Sequence, residues 1–80
     1  MWVYAIQSAK DGRLYVGMTE DVSKRLIQHN HGKAKSTKGF VPWKLIYTEE
    51  TIDRNSARKR ELFLKAGSGK EFLKKIVVNG

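Results

Sequence analysis

Cysteine is absent from this chain, which excludes disulfides, thiolate metal ligands and thiol nucleophiles and weakly suits a reducing compartment. No apolar run approaches the roughly 20 residues needed to cross a bilayer. The amino terminus also lacks the charged-then-apolar pattern of a secretory signal, so the expected location is the cytoplasm. Acidic residues are scarce, eight against sixteen lysines and arginines, leaving a net charge of +8 on 80 residues. So positive a field on so small a body favours a polyanion, and nucleic acid is the expected partner. No segment is both strongly basic and broadly apolar, so no membrane partner is expected.

What is present describes one small globular domain over residues 1–80. Hydrophobic residues make up 40% of the chain and charged residues 30%, too apolar for a disordered chain. Two tryptophans, three tyrosines and three phenylalanines can anchor a modest core. Trp2-Val3-Tyr4-Ala5-Ile6-Gln7 and Leu14-Tyr15-Val16-Gly17-Met18 read as two strands, with Asp11-Gly12 between them as the reversal. Strand alternation puts Tyr4 with Trp2 and Ile6, and Tyr15 with Gly17, while Val3, Ala5, Leu14, Val16 and Met18 point the other way. Antiparallel pairing then places two phenols on one face beside a bare glycine, a position that often marks close approach by a ligand or another backbone.

After Met18 the period changes to helical. Thr19 is expected to cap a helix with Glu20 and Asp21 in its first turn and Val22, Arg25, Leu26 and His29 on one stripe. Asn30-His31-Gly32 is the expected stop. Residues 32–42 read as a basic loop in which Lys33, Lys35 and Lys38 suit a phosphate backbone or simply face solvent. Trp43-Lys44-Leu45-Ile46-Tyr47-Thr48 reads as a third strand, with Trp43, Leu45 and Tyr47 on one face and Ile46 on the other. A second helix is expected from Asp53 or Asn55 to Ala66. Ser68-Gly69-Lys70-Glu71 has the spacing of a capping box opening a third, which turns Phe72, Leu73, Ile76 and Val77 inward. The expected fold is α+β, in the order β-β-α-β-α-α, with a three-stranded antiparallel sheet and flanking helices.

Polar residues on apolar stripes need partners, because burying an unpaired charge is costly. Arg25 and His29 lie one turn apart on the first helix, and Glu61 shares a face of the second with Ala57 and Leu64. Arg25 and Glu61 can satisfy each other, or reach solvent on their long stems. His29 can be a half-buried histidine with one hydrogen bond. The pair His29 and His31 diverges on a helix and makes a poor zinc site. Taken together, two phenols, an arginine, a histidine and a carboxylate on core-facing stripes suggest a site.

That set resembles the GIY-YIG nuclease family across essentially the whole chain. Tyr4, within Val3-Tyr4-Ala5, and Tyr15-Val16-Gly17 resemble its two signature triplets, the first of which has Trp2 where the family has glycine and Val3 where it has isoleucine. Arg25 and His29 match its first-helix residues, Glu61 its metal-binding glutamate, and Asn79 its late asparagine. The likeness is greatest to small standalone bacterial members related to the amino-terminal nuclease domain of the repair excinuclease, which suggests a place in DNA repair. The resemblance implies a metal-dependent endonuclease that leaves 5′-phosphate and 3′-hydroxyl ends. DNA is the expected substrate and RNA an open alternative. A catalytically silent nucleic-acid-binding module on the same scaffold is the alternative reading.

Under that resemblance Glu61 would hold one Mg²⁺ or Mn²⁺, completed by water and phosphate oxygens. Arg25 would grip the phosphate with its planar fork. Tyr4 is preferred as general base and Tyr15 as the group orienting water or phosphate, although the two roles can be exchanged without conflict with the sequence. A phenol near its ordinary pKa of about 10 is a poor base unless its anion is stabilised, which cations such as Arg25, a lysine or the metal cluster could do. His29 either moves a proton or fixes geometry, and Gly17 is structural. Lys33, Lys35, Lys38 and Arg58 are the expected backbone-phosphate contacts.

Overall fold

A computed structural model describes residues 1–79, with only the backbone of Asn79. Three strands, β1 (Trp2–Ser8), β2 (Leu14–Thr19) and β3 (Trp43–Glu50), form an antiparallel sheet in the order β2-β1-β3. Three α-helices follow the expected order: α1 (Val22–Asn30), α2 (Arg54–Lys65) and α3 (Gly67–Asn79). The first reversal has Gly12 at φ +80°, the left-handed region that a residue without Cβ enters freely. Asp11 braces it, accepting from the Arg13 amide at 3.1 Å and from Arg13 Nε at 2.8 Å.

The sheet separates two apolar layers, as strand alternation requires. Val3, Ala5 and Val16 pack with Ala57 and Leu64 of α2 and Leu73 of α3. On the other face Tyr4 and Ile6 pack with Trp43, and Tyr15, Val22 and Leu26 close around them. The chain is therefore layered, with α1 and the loop after it on one side and the α2–α3 pair on the other. Strand β2 is an edge shared by both layers.

Several local expectations need correcting. Asp21, not Thr19, caps α1: its Oδ1 accepts from the Lys24 amide at 3.0 Å. Thr19 instead ends β2 and accepts from the Asp21 amide at 3.2 Å, which leaves Glu20 and Asp21 ahead of the first turn. The stop at Gly32, φ +73°, is as expected. Trp43, Leu45 and Tyr47 do not share a face. The ladder pairs Leu45 with Ile6 but Tyr47 with Ala5, so Ile46 is an extra residue. An extra residue inverts the alternation beyond it. Trp43 thus joins the Tyr4 layer, while Ile46 and Tyr47 join the Val3 layer.

Helix α2 is capped by Asp53, whose carboxylate accepts from the Ser56 amide at 2.7 Å. The capping box at Ser68–Glu71 does not form, because α3 already begins at Gly67 with only Ala66 separating it from α2. Leu73 is buried, but Phe72 is 41% exposed and meets the Tyr47 ring edge-on, with centroids 5.3 Å apart. So sharp a corner presses the two helices together at Gly69. A Cβ there would strike the Phe63 carbonyl oxygen and the Leu64 backbone, neither of which can move aside. Gly→Ala inside a helix normally gains up to about 1 kcal/mol. For Gly69→Ala the sign is expected to reverse, to a loss of about 1–3 kcal/mol, read as a lower urea midpoint at unchanged slope.

Candidate active site

The hairpin register explains the phenol pair. Tyr4 lies opposite Gly17 and Ile6 opposite Tyr15, so both tyrosines rise from the same face. The Tyr4 ring leans across β2 at its bare position: a Cβ on Gly17 would lie 2.6 Å from the hydroxyl and 2.8 Å from Cζ. The close approach expected at Gly17 is thus made by Tyr4 itself. The phenol can lie over β2 only because that residue has no side chain.

Helix α1 supplies the other groups. His29 is fully buried and makes two hydrogen bonds, Nε2 to the Tyr4 hydroxyl at 2.7 Å and Nδ1 to Thr37 Oγ1 at 2.7 Å. It is therefore neither half-buried nor singly bonded. Sequence reasoning misses Thr37. It lies in the basic stretch 32–42, yet it is fully buried, and its carbonyl accepts from Trp43 Nε1 at 2.9 Å. The signal in the chain is small: a short hydroxyl residue just before the one-turn 3-10 helix Lys38–Phe40.

Directionality in this line follows from its far end. The Thr37 hydroxyl donates to the Ala34 carbonyl at 3.3 Å, so its oxygen is left to accept from His29 Nδ1–H. Nε2 then carries a lone pair, and the Tyr4 hydroxyl donates to it. This assignment needs a neutral imidazole. Burial, aided by the Arg25 charge, lowers the His29 pKa below its ordinary value near 6.5. The Tyr4 phenol moves upward instead of down. Burial outweighs the nearby Arg25 guanidinium, which draws it back, and the Tyr15 and Glu61 charges push it further up. The expected lowering by cations is overturned because the phenol, only 2% exposed, loses more hydration than Arg25 returns.

Arg25 and Glu61 do not pair with each other. Arg25 Nη1 donates to Gln28 Oε1 at 3.1 Å, and the guanidinium lies beside the Tyr4 phenol. Glu61, 6% exposed, comes from the opposite layer, accepts from Arg58 at 2.6 Å and forms an ion pair with Lys65 at 3.5 Å. Its charge nonetheless adds to the upward push on the Tyr4 phenol. Tyr15 is half-buried, with its ring 5.1 Å from His29 and 6.4 Å from Tyr4. The structure therefore brings together Tyr4, Tyr15, Gly17, Arg25 and His29, with Glu61 across the edge.

The remaining expectations fall elsewhere. Lys33, Lys35 and Lys38 are exposed on the loop that covers His29. Arg58 is bound to Glu61 rather than extended as a free phosphate contact. His31 is exposed at the end of α1. The Asn79 side chain lies outside the described residues. Among those residues, no three histidine or acidic side chains converge as a metal cage. One hard carboxylate beside an arginine does fit the sparse way in which magnesium binds, through one or two carboxylates plus substrate oxygens. Glu61 is the group that would hold such an ion.

Among the described residues no helix is long and apolar enough to cross a membrane. A profile described as the GIY-YIG catalytic domain matches residues 1–75. The chain is 41% identical over 76 residues to a UPF0213 protein of Staphylococcus saprophyticus, covering 94% of this chain and 92% of that one. It is 40% identical over 65 residues to a UPF0213 protein of Streptococcus agalactiae, covering 80% and 73%. A UPF0213 protein of Photorhabdus laumondii is 37% identical over 65 residues, covering 80% and 62%. No solved structure matches significantly. With its paired tyrosine triplets, the order of its elements and a profile match over nearly its full length, the chain belongs to the GIY-YIG family of nuclease domains.

Proposed function

We propose that this chain is a metal-dependent endonuclease that hydrolyses phosphodiester bonds in DNA. The observation that best supports this reading is the line Tyr4–His29–Thr37 ending at the sheet edge between Arg25 and Glu61. A phenol with a raised pKa cannot wait as a phenolate near neutrality, but a relay does not require one. As water attacks phosphorus, its proton passes to the Tyr4 oxygen while the Tyr4 proton passes to His29 Nε2. The imidazolium so formed keeps its Nδ1–H on Thr37. Arg25 donates to the phosphoryl oxygens and stabilises their growing charge. Tyr15, nearer solvent, orients the water. A divalent ion held by Glu61 would polarise the phosphate and stabilise the departing 3′ oxygen. The P–O3′ bond breaks, leaving a 5′-phosphate and a 3′-hydroxyl that takes its proton from solvent.

One observation favours a second reading, a binding module without turnover: the Glu61 carboxylate is already neutralised by Arg58 and Lys65. Both cations are about half exposed or more and can return to solvent, so an ion that takes over the Glu61 charge can displace them. Incubation with supercoiled plasmid and Mg²⁺ or Mn²⁺ separates the two readings. Nicks that EDTA abolishes, with ends sealable by ligase, are expected of the enzyme. Retention of plasmid without nicking in either metal would favour the binding module.

A further inference from the structure

We propose that an unpaired nucleic-acid strand lies along the open edge of β2, held by one arm of cations on α2 and α3 and not by the 32–42 loop. This rests on the nucleic-acid reading above and specifies where the strand runs. Positions 54, 58, 61 and 65 recur at helical spacing, so Arg54, Arg58, Glu61 and Lys65 form one stripe of α2. The stripe connects two hollows. A cavity of about 400 Å³ at the Thr19 end of β2 is lined by Arg25 and Arg54, and one of about 290 Å³ beside Tyr15 is lined by Lys65 and Lys70. The second shares Leu14 and Lys70 with a third cavity, of about 490 Å³, at the far end of the strand. The last two therefore join into one trough beside Leu14 and Tyr15, and the Arg54–Lys65 stripe leads from it toward the first, so the row of hollows follows β2 over about 20 Å.

The two ends of the row differ in charge. Around Arg25 and Arg54 the cations face Glu20 and Asp21, so that end is mixed. From Lys65 onward the rim carries Lys70, Arg13 and Lys74, of which Arg13 is paired with Asp11 at 2.8 Å and Lys74 with Glu71 at 3.9 Å, both exposed pairs that leave the cations open to a phosphate. The floor there is apolar, formed by Leu14, Val77 and Val78. A cationic rim over an apolar floor suits phosphates on the lysines with sugar and base faces laid against Leu14 and Val77, which requires bases not already stacked in a duplex. A 490 Å³ hollow lies in the range that holds a drug-sized ligand, enough for a nucleoside. By contrast, the loop carrying Lys33, Lys35 and Lys38 sits over the Tyr4–His29 layer, where Thr37 anchors it.

Binding of a fluorescent single-stranded deoxyoligonucleotide, followed by anisotropy in EDTA across a salt series, tests the arm without turnover. The double variant Lys70→Gln/Lys74→Gln is expected to bind about tenfold more weakly, its log–log salt slope shallower by about 1.4. The triple variant Lys33→Gln/Lys35→Gln/Lys38→Gln is expected to lose less, despite removing more charge. A double variant within twofold of wild type, or a triple variant that loses more, would overturn the track. An equal loss on a duplex of the same sequence would overturn its preference for an unpaired strand. Failure of the plasmid assay leaves this comparison intact, because both variants are read with no metal present.

Discussion

Tyr4→Phe is expected to lower cleavage, as kcat/KM, by about 10²–10⁴-fold, the usual contribution of a positioned acid or base. The loss follows from the direction of the hydrogen bonds and not from acidity alone. Thr37 donates to the Ala34 carbonyl, so His29 must present a lone pair at Nε2, and phenylalanine leaves that lone pair without a donor in a fully buried place. An unsatisfied buried acceptor costs about 1–3 kcal/mol, so the variant should also melt earlier and be assayed well below its transition. For cleavage by the wild-type chain the acid limb of the pH profile should fall below the ordinary histidine value near 6.5, because burial and Arg25 hold the imidazole neutral.

The same shift has a stability consequence. The unfolded chain takes up the His29 proton before the folded one does, so it binds more protons as pH falls. Stability should therefore be complete above about pH 6.5 and be lost progressively below it. Tyr4 acts at the other extreme. Its folded pKa is raised, so the unfolded state ionises first and stability falls as pH rises past about 10. If Tyr4→Phe retains cleavage within about tenfold of wild type, the proton path does not begin at Tyr4, and Tyr15 becomes the base.

Glu61→Gln is expected to cost about 10³-fold or more in cleavage while leaving the fold intact. Glutamine has the same shape, and the two cations released, Arg58 and Lys65, are exposed enough to be solvated at little cost. Mn²⁺ binding, measured as loss of the free-ion electron paramagnetic resonance signal, should vanish with the carboxylate. Affinity for single-stranded DNA in EDTA should hold or rise, since one negative charge leaves a row of positive ones. Metal binding and cleavage unchanged in Glu61→Gln would mean that the ion sits elsewhere. Cleavage absent from wild type and variant alike, with binding retained in both, is the signature of the silent module.

How much of this can be read in the chain itself differs from residue to residue. Tyr4, Tyr15 and Gly17 are legible as a group because strand alternation is a local rule, and nothing between Trp2 and Met18 interrupts it. Trp43 and Tyr47 are misplaced by the same rule because one extra residue in β3 inverts the faces, and a bulge leaves little trace in composition. The cap at Asp21 and the start of α3 at Gly67 differ from expectation by a residue or two, within the freedom that competing Thr, Asp, Ser and Gly caps allow. Thr37 escapes notice because its partner lies eight residues back on α1, and only the folded loop brings the two together.

Local sequence alone thus determined the order of the elements, the shared face of the phenols, the excess of positive charge and the family, since each rests on neighbours within a few residues or on composition. Tertiary structure decided which way the protons point, that burial and not Arg25 governs Tyr4, and that Glu61 lies on the helix layer opposite His29. Those outcomes depend on desolvation and on distances between groups far apart in the chain, and neither exists until the sheet has both its layers.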